Sequence, residues 1–136
     1  MEKNKTEPQV MKMCVAITTD DFQRLSEFYR VGLGLEPTED WGDEGGRNYV
    51  VEMGTAIFEV VDEKQANTLD QIEVGERVSG KLRFALEVPN LDAAVNRLVE
   101  YGAKMIQSPK EVPWGDRIAR FIDPEGIHLT FFERKK

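Results

Sequence analysis

The 136-residue chain contains one cysteine and one histidine. A lone cysteine excludes an internal disulfide, and with it the cross-linked scaffolds of small secreted domains. A lone histidine excludes multi-histidine metal centres. Long apolar runs are also missing. No stretch approaches the ~20 residues that span a bilayer, and residues 1–9 are polar, without the apolar core of a secretory signal. Positive charge is scarce: 18 Lys and Arg stand against 25 Asp and Glu, for a net charge of −7. The basic residues are scattered, so the footprint of a nucleic-acid binder is absent. The glycines of Gly32-Leu33-Gly34 end a helical stretch instead of opening one, which excludes a dinucleotide fingerprint. No CxxC pair, phosphate loop or Ser–His–Asp set is present. These absences lead to an expectation of a chain in the reducing cytoplasm, with neither nucleic acid nor membrane as partner. Its acidic charge favours cationic or neutral small ligands at long range.

What is present is ordinary for a packed domain: 40% of residues are apolar and 32% are charged. The length suits a single domain. Beyond a flexible tail over 1–9, Met11 to Thr19 alternates. Met13, Val15 and Ile17 form a greasy face, with Cys14, Ala16 and Thr18 opposite. Asp20-Asp21 supplies a helix cap. Phe22, Leu25, Phe28, Tyr29 and Leu33 then recur at helical spacing. Strands are expected at about 35–41, 47–53 and 55–62, broken by glycines.

Residues 63–79 are polar and read as a linker with at most a short helix at its start. The pattern then restarts. Leu82, Phe84, Leu86 and Val88 alternate, Asn90 caps a helix bearing Leu91, Ala94, Val95 and Leu98, and strands follow at about 103–107, 117–122 and 127–133. The offset is 69 residues, from Val15 to Phe84 and from Asp21 to Asn90. The fold class is therefore α+β, with two βαβββ modules over 10–62 and 80–134. Together they form a curved, cleft-lining mixed sheet. Each half is small for a core of its own, so a shared core is expected.

Several of these segments resemble a known family. Asp21-Phe22, Arg24, Phe28-Tyr29 and Leu33-Gly34-Leu35 resemble the first-helix signature of the glyoxalase/bleomycin resistance/dioxygenase (vicinal oxygen chelate) superfamily. Phe58-Glu59-Val60 resembles its first closing strand. Pro113-Trp114-Gly115-Asp116-Arg117, with Phe121 and Asp123-Pro124-Glu125-Gly126, resembles its second closing hairpin. The resemblance implies a metal held by one inward residue from each of four strands. The matching positions are Cys14, Glu59, Arg83 and Thr130, and only Glu59 is of the usual ligand type. A guanidinium has donors only and stays charged, so Arg83 would repel a cation. The expectation is that no metal is bound, that Arg83 takes its place, and that Arg83 pairs with Glu59 or meets an anionic group on a ligand. A divalent metal is the alternative.

The remaining candidates are Trp41 and Trp114, which flank loops at matching places in the halves. They would stack a flat ligand or pack in an interface. Glu87 and Thr18 are expected to face the pocket. His128 is either an acid–base group, making Glu59 and His128 the catalytic candidates, or an idle strand histidine. The resemblance to metal-free, bleomycin-resistance-like members implies a homodimer that binds a small, cationic or aromatic molecule in its cleft, as in antibiotic sequestration. The competing readings are a metal-dependent lyase, isomerase, dioxygenase or thiol transferase, and a partner-binding scaffold.

Overall fold

The computed structural model describes residues 10–123 and 125–135. The tail expected over 1–9, and Pro124 of the final turn, lie outside these residues. The element order is β1 (Lys12–Thr19), α1 (Phe22–Ser26), β2 (Glu39–Asp43), β3 (Gly46–Met53), β4 (Ala56–Asp62), α2 (Glu63–Val74), β5 (Leu82–Glu87), α3 (Leu91–Glu100), β6 (Lys104–Glu111), β7 (Arg117–Ile122) and β8 (His128–Glu133). The strands form one mixed sheet in the order β2-β3-β4-β1-β5-β8-β7-β6. The duplication is written in the pairing. β1 and β5 meet antiparallel at the centre, each flanked on its outer side by the parallel last strand of its own module.

Both expected caps form. The Asp21 carboxylate accepts from the Arg24 N–H at 3.2 Å, and the Asn90 side chain accepts from the Ala93 N–H at 3.1 Å. The helices then differ. α3 buries Leu91, Ala94 and Val95 against Ala119, Phe121 and Phe131. α1 buries no residue fully, and from Glu27 to Gly32 it widens into π-type turns, with the Leu33 N–H bonded to the Phe28 carbonyl. The widening breaks the 3.6-residue register. Phe22, Leu25 and Tyr29 still pack on Tyr49, Val51 and Val60, but Phe28 and Leu33, expected on the same face, are exposed.

Two further expectations change. The modules do not share one core: α1 sits on β3 and β4, α3 sits on β7 and β8, and each makes its own cluster. With both helices outboard, the middle of the convex face stays open. Met13, Val15 and Ile17 are therefore only partly covered, while Cys14, Ala16 and Thr18 on the concave face are buried.

The cause is α2. The segment between modules forms a helix of 12 residues, longer than the short one expected. It lies across the concave face at one end of the sheet, touching strands of both modules. Ala66 packs there on Ala16 and Val61. The Asp62 side chain caps its start, and Gly75, with φ of 86°, ends it. Its approach to β3 is close enough to require glycine: a Cβ on Gly46 would stand 2.2 Å from the Gln65 nitrogen.

Candidate functional site

The rest of the concave face is a cavity of about 490 Å³. Trp41 on the edge strand β2 and Trp114 in the β6–β7 hairpin both line it, so the curled sheet brings side chains of both modules to one cavity. The tryptophans are 47% and 45% exposed, enough to offer ring faces to a ligand. At one end Gln65, Leu69 and Glu73 of α2 form a wall. At the other, Arg134 reaches across the sheet to Glu52 at 3.3 Å and holds Glu87 at 3.4 Å.

The floor follows from strand register. Residues paired across strands share a face. Glu39 is opposite Val50, Val50 opposite Glu59, Glu59 opposite Ala16, and Ala16 opposite Arg83. Charged and apolar residues thus alternate along one row. The next row runs Glu52, Ile57, Cys14, Ala85, Thr130. The first module therefore presents carboxylates, the centre presents small apolar side chains, and the second module presents Arg83, with Arg134 beyond it.

Glu59 accepts from the Asn48 amide at 3.2 Å and from the Cys14 thiol at 3.7 Å. Asn48 is itself held by the Gln65 amide at 3.3 Å. Burial raises the Glu59 pKa, opposed by the nearby Arg83 and the Cys14 thiol. Burial, then the Glu59 charge, push the Cys14 thiol well above its ordinary value. Arg83 shares the face with Glu59, but the ion pair it makes is with Glu73, at 3.8 Å. That partner comes from α2, whose buried residues the reading as a linker did not anticipate.

Beneath α2 lies a second set of charges. Asp70 is fully buried. It accepts from the Val78 and Ser79 N–H groups, the Ser79 hydroxyl, Arg77 and Arg120. Burial alone would raise its pKa, but these donors outweigh it and bring it to about 2. Arg120 also holds Glu73 at 2.9 Å.

Of the expected site residues, Cys14, Trp41, Glu59, Arg83, Trp114 and Thr130 come together on this cavity. Glu87 and Thr18 are buried on the same face but off the lining, Glu87 being held by Arg134. His128 is half-buried beside the α2 cluster. Its pKa is lowered by burial and by Arg120, and its Nδ1 has no partner. Sequence reasoning missed Asn48, Gln65, Glu73 and Arg134. The period-2 alternation of β3 could have found Asn48. Nothing in the polar α2 sequence signals that its charges are buried.

The fold and this cleft define a class. The sequence model of the Glyoxalase/Bleomycin resistance protein/Dioxygenase superfamily matches residues 13–131, and the chain belongs to that superfamily. Among curated proteins it is 30% identical over 124 residues to the anthracycline biosynthesis protein DauV of Streptomyces sp. (strain C5), covering 90% of this chain and 41% of that protein. The chain thus spans about two-fifths of that relative's length. In structure it is similar to Streptomyces coelicolor methylmalonyl-CoA epimerase in complex with 2-nitronate-propionyl-CoA, with a TM-score of 0.68 at 18% identity over 94% of this chain and 100% of that one. It is also similar to a superfamily member from Vibrio splendidus 12B01, with a TM-score of 0.64 at 12% identity over 90% and 98% of the two chains. These structural likenesses show the fold.

The four positions that the family uses for metal do not fit a divalent ion here. The Cys14 thiol is a hydrogen-bond donor to Glu59, Arg83 is a permanent cation that would repel an ion, and Thr130 is a weak neutral ligand. Among the described residues, no group of three or more His, Cys, Asp or Glu gathers into a set that could hold a metal. No helix among them is long and apolar enough to cross a membrane.

Proposed function

We propose that the chain binds a flat, partly aromatic, positively charged small molecule in its cleft without a divalent metal, sequestering or carrying it. The observation that carries this reading is that Trp41 and Trp114, one from each module, line one cavity whose first-module half is acidic. Indole faces stack on planar rings, and exposed carboxylates favour a cation at the mouth. Arg83 supplies, at the metal position, a fixed positive charge that needs no ion. The name of the DauV relative makes a polycyclic aromatic molecule the first probe to use. The single cysteine suits a reducing cytoplasm.

The same reading takes the chain as a homodimer, supported by the partly covered convex seam of Met13, Val15 and Ile17 and by exposed Phe28, Val31 and Leu33. Sedimentation velocity checks the stoichiometry.

Calorimetric titration with an anthracycline and with bleomycin, before and after dialysis against EDTA, tests the function. Binding that survives EDTA is expected. Stoichiometric metal in the purified protein, or binding that requires Ni, Zn, Fe or Mn, would overturn the reading. That result would move the chain to the metal-dependent lyases, isomerases, dioxygenases or thiol transferases of the superfamily.

A further inference from the structure

The floor of the cleft is electrically polarised, and the polarity follows from register. Glu39 and Glu59 stand on alternate strands of the first module, and Arg83 stands two strands beyond Glu59 with Ala16 between them. Strands lie about 4.8 Å apart, so the backbones under Glu59 and Arg83 are about 10 Å apart. Ala16 between them is covered by Ala66 of α2, and the cavity continues over the next row, where Cys14 and Ala85 keep the floor between the two ends small.

The two ends of this floor row offer opposite hydrogen-bonding chemistry, with Glu73 and Asp116 also lining the cavity outside the first module. Glu59 and Glu39 are acceptors, and Gln65 Oε1 on the adjoining wall is a buried acceptor with no donor. Arg83 has five donors, is 12% exposed at the cavity, and meets Glu73 only at 3.8 Å, longer than a hydrogen bond. Among the described residues no closer acceptor satisfies it. Arg134, by contrast, is held by Glu52 and Glu87 at the rim.

We infer that the cleft orients a two-ended planar ligand, with its cationic end over Glu39 and Glu59 and an acceptor oxygen (a carboxylate, phenolate or ring carbonyl) on Arg83. This rests on the reading of the cleft as a metal-free site for a planar molecule and adds to it the ligand's second group and its direction. The guanidinium fork selects for that oxygen, and Cys14 and Ala85 of the next row lie under the ring system. A cation without the acceptor occupies only the first-module half.

Three probes separate the ends. An anthracycline carries an ammonium together with ring carbonyl and phenol oxygens. 9-Aminoacridine is a planar cation without an acceptor oxygen. Anthraquinone-2-sulfonate carries carbonyls and a negative charge. Dissociation constants are measured by calorimetry for the full chain and its variants, with circular dichroism melts to establish folding.

Arg83→Gln is expected to weaken the anthracycline and the sulfonate about tenfold or more, as loss of a charge-assisted hydrogen bond does, and to leave 9-aminoacridine within about twofold. Glu39→Gln combined with Glu59→Gln is expected to weaken the anthracycline and the acridine and to spare or tighten the sulfonate. Should loss of the Glu73 partner unfold Arg83→Gln, Arg83→Lys keeps the charge and loses the planar fork. It is expected to show the same selectivity with a smaller drop. Equal losses for all three probes in any folded variant would overturn the inferred orientation while leaving the cleft as a binding site. Failure of all three to bind the unaltered chain would overturn the binding function itself, and the orientation with it.

Discussion

Asp70 and Glu59 are both carboxylates withdrawn from water on the same side of one sheet, and their surroundings move them in opposite directions. Asp70, beneath α2, receives two backbone N–H groups, a hydroxyl and two guanidinium groups, and its pKa falls to about 2. Glu59, in the open part of the cleft, receives one amide and a weak thiol donor, and burial wins. Desolvation is common to both, so the number and charge of the donors decide the sign. The covered end of the face is an ionic network that completes Asp70, leaves the Arg120 Nε without a partner, and fastens α2 to β7. The open end holds charges whose partners are incomplete. That difference separates a structural part from a part that can accept a ligand.

The largest effect should come from breaking the completed end. Asp70→Ala leaves Arg120, 1% exposed, facing only Glu73. A loss of about 3–5 kcal/mol is expected in urea unfolding, the range for stranding one partner of a buried pair. Arg120→Met added to it should restore part of that loss. No recovery would mean that the network does not act through charge.

Acid should act next. Asp70 has its pKa depressed from 3.8 to about 2, so its contribution is complete above its unfolded value and is lost as pH falls through that window. About 2 kcal/mol should disappear between these pH values, seen as a steepened fall in melting temperature that Asp70→Asn flattens.

In the open end the effects should fall on ligands and leave the fold intact. Trp41→Ala and Trp114→Ala should each cost about 1 kcal/mol of affinity for a planar probe, the scale of one aromatic contact, with melting temperatures nearly unchanged. If one variant lost affinity and the other did not, the ligand would lie against one sheet edge instead of between two.

Glu59→Gln should not destabilise the fold. The folded pKa of Glu59 is raised, so its ionised form opposes folding as pH rises past the unfolded value, and the substitution should be neutral or stabilising at neutral pH. Affinity for a cationic probe should decline as pH falls through the raised Glu59 pKa, and this dependence should vanish in Glu59→Gln. A strongly destabilised Glu59→Gln would show that the two carboxylates are alike after all.

The strands, both caps and the duplication were legible because they rest on local periodicity and capping chemistry. The face carried by Cys14, Glu59, Arg83 and Thr130 was legible for the same reason: alternation assigns direction residue by residue. Three features were not. Phe28 and Leu33, in and just after the π-type stretch that follows Ser26, are exposed although their spacing is helical. The two cores stay separate because the helices sit outboard. Arg83 takes Glu73, from a helix whose polar sequence looks solvent-exposed.

By itself, the sequence determined the order of the strands and of the two module helices, the class of fold and which side of the sheet each strand residue faces, because these depend on neighbours within a few positions. The tertiary structure alone decided which charges are satisfied. α2 brings Asp70, Glu73 and Gln65 from the segment between the modules onto the concave face, and the curl of the sheet brings Trp41 and Trp114 to one cavity. Partners so distant along the chain are chosen by packing, and packing leaves no periodic trace in the sequence.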